Sequence, residues 1–118
     1  MDSPELIRLY ALGVSKAICL GRAQRAIELT PLSARIVRQQ LRAVIDEARQ
    51  RLGSLAEQLA DHCTGLTTED WLSLLLCQGR AQPPDLHYGE LVRRAFFHLK
   101  NSNNPEVRPL GYMVAAAA

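Results

Sequence analysis

The stretch VRQQLRAVIDEARQRLGSLAEQL, residues 37–59, decides the fold class of this chain. Its apolar residues recur at spacings of three and four, which places them on one face of an α-helix. The residues of this face are Val37, Leu41, Val44, Ala48, Leu52, Leu55 and Leu59. Gly53 interrupts the stretch, and Ser54 and Glu57 have capping-box spacing, so two shorter helices within residues 31–64 are an alternative. Because the apolar face keeps its phase across Gly53, we favour one helix, with a bend allowed there.

Helix start signals divide the rest of the chain into further helices. The residues that can cap a helix N-terminus are Ser3, Thr30, Thr67 and Asp85. Proline at the first helical position supports two of these starts, and acidic residues in the first turn support two. We expect Gly65 to end the second helix in a left-handed conformation, and the third helix to cover about residues 68–78. Strand signals are almost absent, so the sequence predicts an all-α fold, a small bundle of about four helices.

The size and composition of the chain predict one domain. A length of 118 residues with 47% hydrophobic and 22% charged residues is ordinary for a globular domain and argues against disorder. Because residues 101–105 contain turn-forming residues and a proline, they should stop the fourth helix. We therefore assign residues 1–104 to a single helical domain and residues 105–118 to a loosely ordered C-terminal tail.

Cysteine usage and charge indicate the compartment. Cys19, Cys63 and Cys77 have no CxxC spacing and lie beside apolar residues, as free thiols in a reducing compartment do. The formal net charge of +2 is too small to require a nucleic-acid or membrane partner. The apolar run over residues 6–21 is interrupted and too short to cross a bilayer, and it lacks a basic preceding region. We expect a cytoplasmic protein without a membrane partner.

The residues that could carry catalysis have simpler structural interpretations. The histidines stand apart in sequence, outside any HExxH or HxxxH pattern; they are His62, His87 and His98. Asp46 has the spacing to pair with Arg42, and Glu47 with Arg51, while Glu69-Asp70 suits a helix N-terminus. No phosphate-binding loop or nucleophile elbow occurs. We therefore predict no catalytic residue, no metal or cofactor site, and no enzymatic activity.

The first helix carries the main candidate contact surface. It is apolar around most of its circumference, which predicts either a central position in the bundle or burial against a second subunit. Gly13, Ala17 and Gly21 recur every four residues and would let another backbone approach closely. We favour a self-association surface over an intramolecular one, and therefore a homodimer. The predicted contact residues are Leu6, Leu9, Tyr10, Gly13 and Ala17.

Phe97 is a second candidate contact residue. It lies opposite the apolar face of the fourth helix, beside Arg93 and Arg94. Exposed aromatic residues next to arginines are typical of protein contact sites. Cover by the C-terminal tail is the alternative explanation.

A row of arginines on the second helix could contact an anionic partner. Arg35, Arg38 and Arg42 recur at helical spacing and could follow a phosphate backbone. Asp46 interrupts the row, however, and no aromatic residues are interleaved with it. We therefore do not expect nucleic acid to be the main partner.

The chain as a whole resembles the small helical antiactivators that restrain LuxR-type quorum-sensing receptors. The likeness runs from SPELIRLYALGVSKAICLGRAQRAIELTP, residues 3–31, through LTTEDWLSLLL, residues 66–76. It rests on size, arginine-rich composition and helical layout, and it transfers no residue role. The resemblance implies a homodimer that binds the receptor's ligand-binding domain, blocks receptor dimerisation and keeps the receptor off its promoters.

The sequence therefore predicts a non-enzymatic regulator that binds another protein, and the resemblance makes it an antiactivator. Two alternatives stay open. One is a DNA-binding transcriptional regulator that uses the face of Arg35, Arg38 and Arg42. The other is a secretion chaperone or assembly adaptor, which would bury apolar surface in the same way against a different partner.

Overall fold

A computed structural model describes the backbone of residues 3–118 and the side chains of residues 4–118. The helices are α1 (Ser3–Leu29), α2 (Arg35–His62), α3 (Thr68–Gln78), α4 (Leu86–Lys100) and α5 (Arg108–Ala116). No strand occurs over the described range. The all-α prediction is confirmed, with five helices where about four were predicted. The predicted cap at Ser3 lies outside the described side chains.

α1 and α2 form a long hairpin, and α2 begins later than the sequence predicts. The predicted helix start at Thr30 is wrong, because residues 31–34 form a turn in which the Ala34 amide donates to the Pro31 carbonyl at 3.0 Å. The Thr30 hydroxyl instead donates to the Ala26 carbonyl at 2.7 Å, at the C-terminal end of α1. α2 then starts at Arg35 without a side-chain cap.

α2 runs without a break through Gly53, as the one-helix interpretation predicts. Its apolar face is buried only in the second part of the helix. The buried residues are Ile45, Ala48, Leu52, Leu55, Ala56 and Leu59. Val37 and Val44, predicted on the same face, remain 48% and 41% exposed. These two side chains stay exposed because the hairpin extends beyond the helices that pack on it. The molecule is accordingly elongated, with dimensions of 55 × 30 × 19 Å.

An ion pair across the hairpin replaces one that the sequence predicts within α2. Glu47 pairs with Lys16 of α1 at 3.2 Å, and the two side chains are 59% and 35% exposed. The predicted pairs of Glu47 with Arg51 and of Asp46 with Arg42 do not form among residues 4–118. At these exposures the cross-hairpin pair contributes little stability.

The caps of α3 and α4 agree with the sequence predictions. The Thr67 hydroxyl accepts from the Asp70 amide at 3.1 Å, and the Thr67 amide donates to the Asp70 carboxylate at 3.0 Å, a complete capping box. Gly65 has a φ of 95°, the left-handed conformation predicted for it. Asp85 caps α4 by accepting from the Tyr88 amide at 2.9 Å.

The predicted loose tail is wrong over most of its length, because Arg108–Ala116 forms α5. Leu110 and Val114 are fully buried. Gly111 lets α5 lie close to α4, since a β-carbon there would come within 2.9 Å of the Lys100 amide nitrogen. Three buried residues at spacings of three and four, beginning at Val107, hold the segment in place.

Candidate functional site

The contact residues predicted on the first helix lie inside the protein. Leu6, Tyr10 and Ala17 are 0%, 3% and 0% exposed. Gly13 is buried and Leu9 is half-buried. A partner could reach them only if the bundle opened, so they do not form a free contact surface.

The small residues of α1 serve the crossing of α1 and α3. A β-carbon on Gly13 would lie 2.7 Å from a methyl carbon of Leu75. One turn further, Ala17 packs directly on Gly79, and a β-carbon on Gly21 would lie 2.9 Å from the Arg80 carbonyl oxygen. The spacing of four residues on α1 therefore matches one turn of α3. Gly13, Ala17 and Gly21, which we call the seam of α1, thus serve an intramolecular contact, the alternative to self-association.

A polar contact behind the seam ties three helices together. The Tyr10 hydroxyl of α1 donates to Gln78 Oε1 of α3, and Gln78 Nε2 donates to the Val114 carbonyl of α5 at 3.2 Å. The Tyr10 ring packs edge-on against Trp71, with centroids 6.2 Å apart. Burial raises the pKa of Tyr10 above its usual range. Tyr10 is thus a structural residue.

The opposite side of α1, which we call the outer face, is exposed and uncharged in its middle. The exposed residues between Arg8 and Arg22 are Ala11, Leu12, Ser15, Ile18 and Cys19. Leu12 and Ile18 are 37% and 38% exposed. An amphipathic surface helix normally presents charged residues to water, so this face differs from an ordinary solvated one.

The end of the hairpin, residues 24–44, is here called the arm. Its first residues touch the bundle, where Ile27 packs against the core and Arg25 Nη1 lies 3.5 Å from the Arg80 carbonyl oxygen, and the rest extends beyond it. None of its residues is buried. Its turn carries the apolar side chains most exposed in this region, Leu29 at 85%, Leu32 at 81% and Ile36 at 72%. Burial of large apolar side chains is strongly favourable, so their concentration at one end of the molecule indicates a contact surface. The sequence prediction missed these residues, although three large apolar residues around the turn at Pro31 were a possible signal.

The arginine row predicted on the second helix is divided by the fold. Arg35 and Arg42 are exposed on the arm. Arg38 is half-buried and donates to the carbonyl oxygens of Ile27 and Thr30, both at 3.0 Å, so it satisfies the C-terminal end of α1. Arg35 and Arg42 are available to an anionic partner, whereas Arg38 holds the turn.

Phe97 remains exposed, at 62%, and the C-terminal segment does not cover it. α5 packs instead on the neighbouring Phe96, whose ring meets Tyr112 edge-on with centroids 5.4 Å apart. Lys100 Nζ lies 4.8 Å from the Phe96 centroid and 5.9 Å from the Phe97 centroid. The Phe97 side chain is therefore accessible to a partner, as its predicted contact role requires. The ammonium group of Lys100 lies near both rings.

A groove between α3 and α4, of about 490 Å³, brings several potentially reactive side chains together. Cys77, Asp85 and His87 line it. Burial, and secondarily the charge of Asp85, raises the pKa of the Cys77 thiol, which keeps it protonated and weakly nucleophilic. Asp70 is engaged by Arg94 at 2.9 Å and by the capping box. The groove therefore holds no activated cysteine.

We expect no more than one thiol per folded chain to react with a disulfide reagent at pH 8. Cys19 is exposed, whereas Cys63 and Cys77 are buried and should react only after unfolding in guanidinium. Burial raises the pKa of Cys63 from 9.0 to about 12. Above pH 9.0 the unfolded thiol ionises and the folded one does not, so the free energy of unfolding should fall as pH rises towards 12. Rapid reaction of two thiols in the folded protein would contradict the assignment of Cys63 and Cys77 as buried.

The described part of the chain shows neither a grouping of metal ligands nor a membrane-spanning helix. The three histidines, His62, His87 and His98, are exposed. Among residues 3–118, no three His, Cys, Asp or Glu side chains are grouped as metal ligands would be. No helix in that range combines the length and the apolar character needed to cross a membrane.

No protein-family model, curated protein or solved structure matches the chain.

Proposed function

We propose that this protein is a cytoplasmic, non-enzymatic regulator that acts by binding another protein. The observation that carries the proposal is the arm, because residues 24–44 include no buried residue and end in three strongly exposed apolar side chains. Burying these side chains in a partner would contribute about 25 cal/mol for each Å² of apolar surface removed from water. Such binding needs no catalytic group.

The form of regulation that we propose is inhibition of a LuxR-type quorum-sensing receptor. The resemblance to small helical antiactivators supports this partner, and the arm supplies apolar surface that can compete for a receptor's own dimer interface. A receptor covered in this way cannot pair with its second subunit. Because such receptors bind DNA as dimers, the antiactivator would also prevent promoter binding.

We further propose a homodimer in which a second copy covers the outer face of α1. Around a two-fold axis at Ser15, an antiparallel copy of α1 places Leu12 opposite Ile18 of the partner. The same axis places Ala11 opposite Cys19, so small side chains surround the centre and permit close approach. The same axis places Arg8 opposite Arg22 of the partner at each end of this face, where two crossing helices diverge and water screens the like charges.

A mobility-shift titration tests the proposed inhibition. A purified LuxR-type receptor is bound to its promoter DNA, and this chain is added up to about 10 μM, roughly tenfold above a micromolar dissociation constant and so enough to approach saturation. We expect the receptor to leave the DNA while the chain itself forms no DNA complex. An unchanged receptor–DNA band throughout the titration would refute the antiactivator proposal. An unrelated helical protein at equal concentration is the control.

A DNA-binding regulator is the second candidate, favoured by the exposure of Arg35 and Arg42. It predicts retention of the chain on duplex DNA that weakens steeply with salt and is lost in the variant Arg35→Ala with Arg42→Ala. Absence of retention at low salt ends this alternative. A secretion chaperone or adaptor would use the same apolar surfaces and differs only in the partner.

A further inference from the structure

We propose that the arm is a docking site for an acidic, amphipathic helix of the partner protein. This inference rests on the proposed function, since it assigns the partner-binding surface and the chemistry of the segment that occupies it. Three properties of the arm carry it: its incomplete packing, its charge and its fixed turn.

The arm is a pair of helices without a third helix to complete its core. Val37, Leu41 and Val44 continue the apolar face of α2 that is buried from Ile45 onwards, yet two of them are more than 40% exposed. A helix pair cannot bury the apolar faces of both members by itself. An added amphipathic helix would cover these residues together with Leu32 and Ile36, and so complete a three-helix core.

The charge of the arm selects an acidic partner. The arm contains four of the chain's fourteen basic residues and one of its twelve acidic residues, so it carries a net charge of +3 and the remainder of the chain −1. The acidic residue is Glu28. The ion pairs Lys16–Glu47 and Arg94–Asp70 lie outside the arm and neutralise none of its arginines. Carboxylates on a docked helix would meet Arg35 and Arg42, which are exposed.

The turn of the arm is held before any partner arrives. Arg38 donates to two carbonyl oxygens at the end of α1, and the Thr30 hydroxyl donates to a third. A surface that is already ordered loses less conformational entropy on binding. The backbone around Leu29 is therefore ordered before binding.

Charge and apolar exposure together argue against a second arm and against nucleic acid as the occupant. A second arm would bring +3 against +3, so the arm is not the dimer surface. Nucleic acid would satisfy the arginines but would leave the apolar side chains in water, because a phosphate backbone offers no apolar face. An anionic bilayer offers both, and the experiment below separates it from a protein helix.

The test uses two fluorescent model helices, one built from Glu and Leu and one from Lys and Leu in the same pattern. Anisotropy measures their affinity for the wild-type chain at low and high salt. We expect the acidic helix to bind with one-to-one stoichiometry, at least about tenfold more tightly than the basic helix, and more weakly as salt rises. Leu32→Ser with Ile36→Ser, and separately Arg35→Glu with Arg42→Glu, should each weaken binding by at least about tenfold.

Matched variants elsewhere provide the control. Leu86→Ser changes a leucine that is 92% exposed, and Arg93→Glu an exposed arginine of α4, so both should bind the acidic helix as wild type does. Absence of binding, equal affinity for both helices, or equal loss in control and arm variants would overturn the proposal. Tighter arm-dependent binding to phosphatidylserine vesicles than to the acidic helix would assign the arm to membranes and also overturn it.

This experiment separates the inference from the proposed function, because it contains no receptor. If the acidic helix binds the arm and the receptor titration shows no effect, the docking site stands and the named partner is wrong. If the receptor is released from DNA equally by wild type and by the arm variants, inhibition stands and the docking site is wrong.

Discussion

Replacing Gly79 with alanine should destabilise the fold by about 2 kcal/mol, the cost typical of overpacking a close contact. A β-carbon at Gly79 would collide with the β-carbon of Ala17 and come within 2.8 Å of the Ile18 amide nitrogen, so backbone atoms of α1 would have to move. Guanidinium denaturation followed by circular dichroism measures the loss. Because Gly79 has a negative φ of −84°, backbone strain adds nothing to the effect.

Gly53→Ala is the matched control for this variant. A β-carbon at Gly53 meets no atom within 4 Å, and the residue lies inside α2. Alanine there should stabilise the protein by about 1 kcal/mol, since glycine is a poor helix former. If Gly79→Ala proved as stable as wild type and only changed the oligomeric state, the seam of α1 would be an intermolecular surface and the fold described above would be wrong at that point.

The combined change of Leu12→Asp and Ile18→Asp should convert the proposed dimer to a monomer. Both side chains are more than a third exposed in the single chain, so the helical fold should persist. In the dimer they would be buried, and two unpaired carboxylates per subunit should raise the dissociation constant by at least about 100-fold. Sedimentation equilibrium measures this constant. Dimers of unchanged stability in the double variant would refute the α1 interface.

The register of that dimer can be read from cross-linking. In a Cys19→Ser background, Ser15→Cys places one exposed thiol on the proposed two-fold axis, where mild oxidation should join the subunits. In wild type, Cys19 and its copy would be offset by eight residues, about 12 Å along the helix, which is too far for a disulfide. Efficient cross-linking of wild-type Cys19 would indicate a parallel pair instead.

Local capping chemistry explains why most helix boundaries could be predicted. Thr67 and Asp70 supply reciprocal hydrogen bonds, and Asp85 satisfies the Tyr88 amide, so these signals act within one turn. Thr30 failed as a start signal because its hydroxyl bonds back to Ala26 and closes the preceding helix. A Ser or Thr before proline can serve either helix end, and local sequence does not distinguish them.

Tertiary contacts explain what the sequence could not predict. The small residues of α1 permit close approach of any backbone, and only the fold shows that the approaching backbone is α3 at Gly79. α5 was missed because a helix of nine residues has a weak periodic signal and depends on packing against α4 for its stability. The same limit applies to the arm, since the spacing of Val37 and Val44 predicts a buried face and cannot show that no helix covers it.

The most direct test of the account is sedimentation velocity of this chain mixed with the ligand-binding domain of a LuxR-type receptor. We predict a stable complex that contains the receptor domain as a monomer, with loss of the receptor dimer as the chain is added. Sedimentation of the two proteins as separate species, with the receptor dimer intact at micromolar concentrations, would contradict the central claim that this protein acts by covering a receptor's dimer interface.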